Sequence, residues 1–588
     1  MKKIFKNLFI TVPTSFGLVS SACVSNDKEQ KKLNQDNIVK KQEINNETSK
    51  QQNDKKDSAN FEKITENSQN DNTTKTNTEK KDDNKNQPNP INNPFENNFF
   101  PDFNQIHKSK NKYNQDVTKF NTVSENEIYQ EIYDRTFAIK FGVNLGNNNK
   151  LATSPGTTWL LDYYKKNENQ YKLFFATNLH VISLLSNTLD DNLATQLNYK
   201  DERNFKAESI SIGKSSANLT GFKPQTNRYE YNQDRDNQVS WLSSDIFFED
   251  SAKSDNAAIN TVYKENVFSK PKLIFAGFDF IKHEYIEQYQ HDSIEKIKQR
   301  IEQIKDTNDE NDKESELWIL NNSLKTNAFI PFYTDFAVFE VEVNFANLDS
   351  RYVNWFKNSI QAVDKYLQRQ QTNNTPNHDK TISKYTLTTD FISAEKNTTN
   401  NLTNAQNVYI GGYPASKGYN SSWSRNNPIE RNSSEQWYRF GIENKDLFAL
   451  SAGNYEEKLT NDNFTPYTKV FGKTLNEFYG FIHNINFSSL YYGASGSVAY
   501  NDFGQIIGIY SGVSSNVEPF DLSKNASFTP LLLSKDYDFN NKTIKAYNLI
   551  DGSQFEAQTN SYRQNLQIIY PNGFDDNSKK TALFPDGF

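Results

Sequence analysis

The sequence predicts a mainly β globular region behind a long polar N-terminal stretch. Three observations carry that prediction. Short aromatic and β-branched runs bounded by turn residues recur from about residue 137 to residue 513. Helical spacing of apolar residues is confined to a few segments. The polar residues that hold the hydrophobic fraction at 35% over 588 residues are concentrated before residue 100. Length alone would allow three or four domains, and removing that polar stretch reduces the expectation to one large β-rich unit. A net charge of −7 without a basic stripe gives no reason to expect a nucleic-acid partner. The single Cys excludes an intramolecular disulfide framework and any Cys-cluster metal site.

At the N-terminus, Lys2, Lys3 and Lys6 precede a mostly apolar run, Leu8–Val19, and the small residues Ser20-Ser21-Ala22 stand directly before Cys23. This is the order of a secretory signal, and the apolar run is too short to span a bilayer. Cys23 after a small residue resembles the lipobox of bacterial lipoproteins, with Ser20 where Leu or Val is commoner. That resemblance implies a signal peptide over 1–22, diacylglyceryl transfer to the Cys23 thiol and a membrane anchor on the extracellular face. An ordinary signal peptide with an incidental Cys is the alternative.

Residues 23–115 read as a tether. Between Val24 and Phe100, 13 Lys face 14 acids among Asn, Gln, Ser and Thr. Such a segment cannot bury enough surface to offset its ordering entropy. About 90 flexible residues have an r.m.s. span of roughly 50–60 Å. A partner-binding role for the charges is the alternative. The expected globular region is 116–588.

Within it, Ser124-Glu125-Asn126-Glu127 has capping-box form and opens a short helix with Ile128 and Ile132 on one face. Phe137–Val143 alternates as a strand. Thr157–Tyr164 and Tyr171–Asn178 form a hairpin across Lys165–Gln170. Leu273–Phe278, Asp335–Val343, Val408–Gly412, Ser497–Tyr500 and Gln505–Val513 are further strands, the last two joined by the turn Asn501–Gly504. Ile294, Ile297, Ile301 and Ile304 recur among dense charges between Ile281 and Lys313, which predicts an exposed amphipathic helix. Val353, Phe356, Ile360, Val363 and Leu367 predict a second. Both read as excursions from the β framework, within insertions of about 200–325 and 345–400, and as candidate docking surfaces.

Three short motifs bear chemistry. Of the six His, only His180 directly follows a strongly apolar strand, Leu173–Leu179. Histidine can take and return a proton near neutral pH, although a capped core His would look the same. Asp335 opens the apolar run Phe336–Val341, where a carboxylate can also be a turn cap. Gly493-Ala494-Ser495-Gly496-Ser497 precedes the Asn501–Gly504 hairpin. A Ser nucleophile needs a tight turn and backbone N–H groups aimed at the developing oxyanion. Gly493 supplies backbone freedom for that purpose, and Gly496 leaves room where substrate must approach. Asp245 in Ser243–Phe247 is a rival carboxylate, disfavoured because Asp335 continues into a longer strand.

His, Asp and Gly-Ala-Ser-Gly in this order resemble chymotrypsin-like serine peptidases, and Ile410-Gly411-Gly412-Tyr413-Pro414 resembles a strand end of bacterial trypsin-like enzymes. More narrowly, the chain from about Asn126 to its C-terminus resembles the peptidase family of mycoplasma surface lipoproteins, whose best-known members are immunoglobulin proteases. Asp134-Arg135-Thr136-Phe137, Ser561-Tyr562-Arg563 and Thr581-Ala582-Leu583-Phe584-Pro585 belong to that resemblance. It implies a double β-barrel with Ser495 as nucleophile, His180 as general base then acid, and Asp335 as its orienter. It also implies an oxyanion hole of Gly493 and Ser495 N–H groups, and substrate pairing along Tyr510-Ser511-Gly512. No cofactor is expected. Host immunoglobulin is the implied substrate, with an immunoglobulin-binding lipoprotein as partner. Ser489, six residues before Ser495, stands at the expected base of the primary specificity pocket, and its neutrality argues against Arg/Lys specificity. The spacings are long, 155 residues from His180 to Asp335 and 160 from Asp335 to Ser495.

His283, Glu287 and His291 fall at four-residue steps, but the zinc motif His-Glu-x-x-His is only half present and the helix is charged along its length, so a solvated face is preferred to a metal site. A non-catalytic surface binding protein or adhesin that keeps the barrel is the alternative to an enzyme. The anchor is tested directly: cells expressing the chain incorporate labelled palmitate into it, and Cys23→Ala removes the label. Label that persists in Cys23→Ala rules the anchor out.

Overall fold

The computed structural model describes residues 122–146, 149–215, 239–248, 261–346, 348–371, 408–416, 420–426, 455–457, 466–485, 488–513, 526–539 and 542–588. The signal segment, Cys23 and the tether lie outside these residues. Helix α1 (Glu125–Arg135) starts where its capping box requires, with the Ser124 side chain accepting from the Glu127 N–H at 3.3 Å. Its last carbonyls are met by Lys214, whose Nζ donates to Tyr133 O at 2.7 Å and Asp134 O at 2.9 Å. A cation there complements the negative end of the helix.

The fold is mainly β, with few helices. One nine-stranded sheet contains β1 (Thr136–Asn144), β2 (Lys150–Ala152), β3 (Gly156–Lys165), β4 (Gln170–Thr177), β5 (Lys206–Ser215), β6 (Val239–Ser243), β7 (Thr261–Tyr263), β8 (Lys272–Phe278) and β9 (Tyr333–Asn344). Its order is β7-β6-β5-β1-β3-β4-β9-β8, with β2 on β1. The chain then forms β10 (Val408–Gly412), the small hairpin β11 (Ala415–Ser416) and β12 (Asn420–Ser421), and β13 (Ser424–Arg425). With β14 (Tyr455–Glu457), β15 (Phe481–Ile485), β16 (Val498–Asn501), β17 (Ile506–Val513) and β18 (Ala526–Pro530) it builds a second sheet of order β13-β10-β16-β17-β18-β15-β14. Neither sheet closes into a barrel among the described residues.

Side chains alternate across a strand, and β16 uses both faces. Val498 and Tyr500 join the large core that includes Phe137, Trp159 and Phe175, while Ala499 joins a second core with Ile410, Leu490, Tyr510 and Phe528. Sheets buried on both faces read as near-continuous apolar runs, which is why β4, β9 and β17 are plain in the sequence.

Three expectations are corrected. The stretch 200–325 is not simply an insertion: β5 pairs with β1 from Ala138–Gly213 to Asn144–Lys206, and β8 pairs with β9. The single exposed helix expected over Ile281–Lys313 is broken. A short helix His283–Ile286 and a 3-10 turn Glu287–Tyr289 lead into α2 (Gln290–Ile304), and α3 (Glu316–Lys325) follows. Ile297 and Ile304 are buried with Leu317 and Leu320 rather than facing solvent. Helix α4 (Ser350–Gln370), the second expected excursion, belongs to the main core: the Phe356 ring stacks on Phe137 at 5.6 Å, and Tyr352, Val363 and Tyr366 are buried. That apolar face is therefore no docking surface.

The motif Asp134–Phe137 has a structural role. Arg135 is fully buried, and its Nε and Nη2 both donate to Leu160 O, at 3.1 and 2.9 Å. Its Nη1 donates to the Tyr500 hydroxyl at 2.8 Å, which donates to Glu131 Oε1 at 2.9 Å. Glu131 in turn pairs with Arg369, which donates to Gly504 O at 2.8 Å. This network ties α1, β3, β16, α4 and the hairpin turn together. Removing one member of a buried charge network costs roughly 3–5 kcal/mol.

The closing motifs are structural too. Asp162 on β3 is fully buried and accepts from Tyr562 Oη at 2.9 Å and the Leu583 N–H at 2.9 Å. Tyr562 begins α5 (Tyr562–Ile569). Arg563 bonds Asp551 at 2.9 Å and Gly587 O at 3.0 Å. The C-terminal segment is thereby strapped across the large sheet. Burial pushes the Asp162 carboxyl up to about 6, against its hydrogen bonds from Thr581, Leu583 and Tyr562. The folded state thus holds this proton more tightly than the unfolded chain, and the associated stability is present below about pH 4 and lost as pH rises through about 6. Asp162→Asn should remove this slope. Thermal unfolding of the two proteins from pH 4 to pH 7 should show the variant gaining about 3 kcal/mol on wild type. A constant difference would contradict the assignment.

Candidate active site

Strand β4 ends at Thr177, and the chain turns at once, with Val181 and Ile182 N–H groups returning to Asn178 O at 3.2 and 3.4 Å. His180 lies on this turn and is 6% exposed. Asp335 is the third residue of β9, whose ladder with β4 runs from Gln170–Asn344 to Thr177–Ala337. Continued past its last pair, that register sets Asp335 opposite Leu179, beside His180. The carboxylate holds His180 twice: Oδ2 lies 2.8 Å from Nδ1, and Oδ1 accepts the backbone N–H at 3.1 Å. Asn178 Nδ2 adds a bond to Asp335 O at 2.7 Å. A carboxylate can only accept, so Nδ1 carries the hydrogen and Nε2 is left with the lone pair. Burial raises the Tyr333 and Tyr467 phenols above their ordinary range, and the Asp335 charge adds to both shifts. Asp245 is elsewhere: its carboxylate meets Lys150 Nζ at 2.9 Å and caps the Phe247 N–H at 3.0 Å.

Ser495 is half-buried on a turn whose carbonyls are fixed. Tyr492 O accepts from the Ala415 N–H at 2.7 Å. Ala494 O accepts from the Ser497 N–H at 3.0 Å and from Ser497 Oγ at 2.6 Å. In a trans peptide the C=O and N–H point oppositely. The N–H groups of Gly493 and Ser495 are thus turned away from these partners, and among the described residues neither meets an acceptor.

The turn is seated on β3. Thr157 donates its N–H to Ser495 O at 3.0 Å and its Oγ1 to Gly493 O at 2.8 Å, and Thr177 Oγ1 donates to Thr157 O at 2.7 Å. Gly493 has φ +89°, a conformation that favours glycine, and a Cβ there would lie 2.7 Å from Ala415 N. Gly496 has φ +96°, and its Cβ would lie 2.0 Å from Thr157 O and 2.5 Å from Thr177 Oγ1. Gly496 is required by the protein's own packing, not by substrate approach as the sequence suggested. These contacts bring the Ser495 turn to the end of β4, three residues before His180. No hydrogen bond joins Ser495 to His180 among the described residues.

Tyr491, Tyr492, Ser495, Tyr510, Ser511, Gly512 and Val513 line one pocket. The ladder of β17 with β16 ends at Ile509–Val498, whereas its ladder with β18 continues to Val513–Ala526. The far edge of Ser511–Val513 therefore has no β16 partner beside Ser495. Ser489 is fully buried and is not among the lining residues. Sequence reasoning missed Thr157, Thr177, Asn178 and Ala415. Only the adjacency of Thr177 and Asn178 to His180 could have drawn attention to them.

His283 Nε2 lies 2.9 Å from Asp279 Oδ1, and its ring stacks on Phe329 at 3.6 Å. The helix break puts Glu287 in the 3-10 turn and His291 in α2, so the three residues do not share one helix. Among the described residues no group of three His, Cys, Asp or Glu could hold a metal ion, and no helix is long and apolar enough to cross a membrane.

Relatives of the chain are lipoproteins by name. An uncharacterized lipoprotein of Mycoplasma capricolum subsp. capricolum is 41% identical over 490 residues, covering 82% of this chain and 73% of the relative. A membrane-associated lipoprotein of Ureaplasma parvum is 24% identical, covering 79% of this chain and 54% of the relative. An uncharacterized lipoprotein of Mycoplasma pneumoniae is 24% identical over 256 residues, 41% of this chain and 37% of its own length. A family model described as Mycoplasma immunoglobulin protease matches residues 126–512, a span that opens in α1 and includes His180, Asp335, Ser495 and the pocket strand as far as Gly512. By the extent of that match, the chain belongs to the Mycoplasma immunoglobulin protease family.

Proposed function

We propose that this protein is a surface-anchored serine endopeptidase of trypsin-like plan, its two sheets being the counterparts of two barrels. The observation that carries the reading is the Asp335 carboxylate on His180 Nδ1 at 2.8 Å, next to a Ser495 turn with two N–H groups that meet no acceptor among the described residues. Ser495 Oγ attacks the peptide carbonyl and gives its proton to His180 Nε2. Asp335 holds the imidazole in this tautomer and stabilises the imidazolium that forms. The oxyanion that develops takes the Gly493 and Ser495 N–H groups, which need no reorganisation because Tyr492 O and Ala494 O are already bound. The leaving amine takes the proton from His180, and water activated by the same Nε2 releases the acyl group. The Ser495–His180 contact closes when substrate binds, as such contacts commonly tighten only in the complex.

The edge of Ser511–Val513, which has no strand partner on that side among the described residues, suits an extended peptide added as a strand. The family name supports immunoglobulin as the substrate, and the reading adds host origin and delivery by a separate immunoglobulin-binding lipoprotein. The lipoprotein names of the relatives support a lipid anchor, which the reading places at Cys23 ahead of a tether over 23–115 and a peptidase region over 116–588. The missing Ser495–His180 hydrogen bond is the one observation that favours a non-catalytic binding protein.

A fluorophosphonate probe decides between them. Purified protein mixed with serum proteins should be labelled at Ser495, and Ser495→Ala should abolish labelling. Asp335→Ala should slow it by about 10³–10⁴-fold, with Asp245→Ala near wild type. Absence of label at Ser495 under these conditions would establish the binding protein instead.

A further inference from the structure

We propose that Tyr510 floors the primary specificity pocket, so that cleavage follows small uncharged residues such as Gly, Ala and Ser. The inference rests on Ser495 being the nucleophile. In that reading the residue under attack presents its carbonyl to the Gly493 and Ser495 N–H groups, with its backbone along Ser511–Val513. Its side chain then enters the pocket lined by Tyr491 and Tyr492 and by Ser511–Val513.

Tyr510 joins those two walls. It is rooted on β17, and its hydroxyl accepts the Leu490 N–H at 3.0 Å and the Tyr491 backbone N–H. The residue is 1% exposed and packs in the buried cluster of Leu490, Ala494, Val513 and Phe528. Parting the walls for a long side chain would leave two backbone N–H groups without their acceptor, an expensive loss inside a core. Tyr491 itself has φ +89°, rare for a bulky residue, and its carbonyl is held by the Ala494 N–H at 3.3 Å. The wall is thus fixed in a conformation it would leave if released. Among the described residues none that lines the pocket is charged, so a buried Lys, Arg, Asp or Glu side chain would find no countercharge among them.

The test is a peptide-library digest by the full chain, with cleaved ends read by mass spectrometry. Wild type should cut after Gly, Ala or Ser. Tyr510→Ala should raise cleavage after Leu, Phe or Tyr about tenfold or more relative to Ala, and Tyr510→Phe, which keeps the ring but loses the hydroxyl that ties the walls, should give a smaller rise in the same direction. If Tyr510→Ala fails to fold, the wild-type and Tyr510→Phe profiles still decide. Wild-type cleavage mainly after large or charged residues overturns the proposal, as does a probe-labelled enzyme that leaves every small-residue peptide intact. Fluorophosphonate labelling separates the two failures: label with the wrong profile overturns the pocket alone, and no label overturns Ser495 as nucleophile.

Discussion

The carbonyl of Thr157 lies so near Gly496 that a Cβ there would be 2.0 Å away, and the candidate site depends on that approach. The two sheets belong to different stretches of chain, and the Ser495 turn and His180 come from opposite sides of the join. Thr157 closes it with hydrogen bonds to Ser495 O, Gly493 O and Thr177. Its Oγ1 also accepts the Tyr413 N–H at 3.0 Å. One threonine thus sets the Ser495 turn, the Gly-Tyr-Pro strand end and the His180 strand against one another. Any side chain at residue 496 would separate these parts, so the glycine is a condition of assembly rather than of substrate access.

Two buried polar anchors keep the surrounding scaffold rigid enough for that contact to matter. Arg135 and Glu131 join α1 to both sheets through Tyr500, and Asp162 fastens the C-terminal segment across β3. Both act on strand β3, which also carries Thr157. A charged group is costly to bury unless every lone pair and proton is met. Such groups therefore specify one arrangement of their partners, whereas apolar packing tolerates several.

The strands that bury both faces were legible in the sequence to within a residue or two, because their apolar runs are nearly continuous: β4, β9, β10 and β17 are examples. Strand β5 was not. It buries Ser209, Ser211, Lys214 and Ser215 beside Ile210 and Ile212, so its composition reads as loop. The helices were visible as periodicity, but periodicity does not reveal what covers an apolar face, and α4 turned out to be covered by the main core. At the site, the types and order of His180, Asp335 and Ser495 were readable, as was the need for glycine near Ser495. Thr157 was not readable, because a strand threonine looks the same whether its hydroxyl faces water or fixes a carbonyl. Likewise the sequence drew attention to Ser489 by its position, whereas in the structure Ser489 is buried away from the pocket lining and Tyr510 lines it.

The 155 residues between His180 and Asp335 look excessive for a two-residue contact, yet their number has little bearing on it. Closing a longer loop adds entropy only logarithmically, about 0.6 kcal/mol per doubling of length. Register matters far more. The side-chain period of a strand is two, so a one-residue slip of β9 against β4 would turn Asp335 to the opposite face and remove it from His180. The ladder from Gln170–Asn344 to Thr177–Ala337 prevents that slip, because it is buried on both faces and flanked by β3 and β8. The intervening chain is then free to add β5 to β8 and several helices, α2 and α3 among them, without disturbing the contact. The same separation of duties holds for Ser495, which reaches the site through the fixed carbonyls of its own turn and not through the length of chain before it.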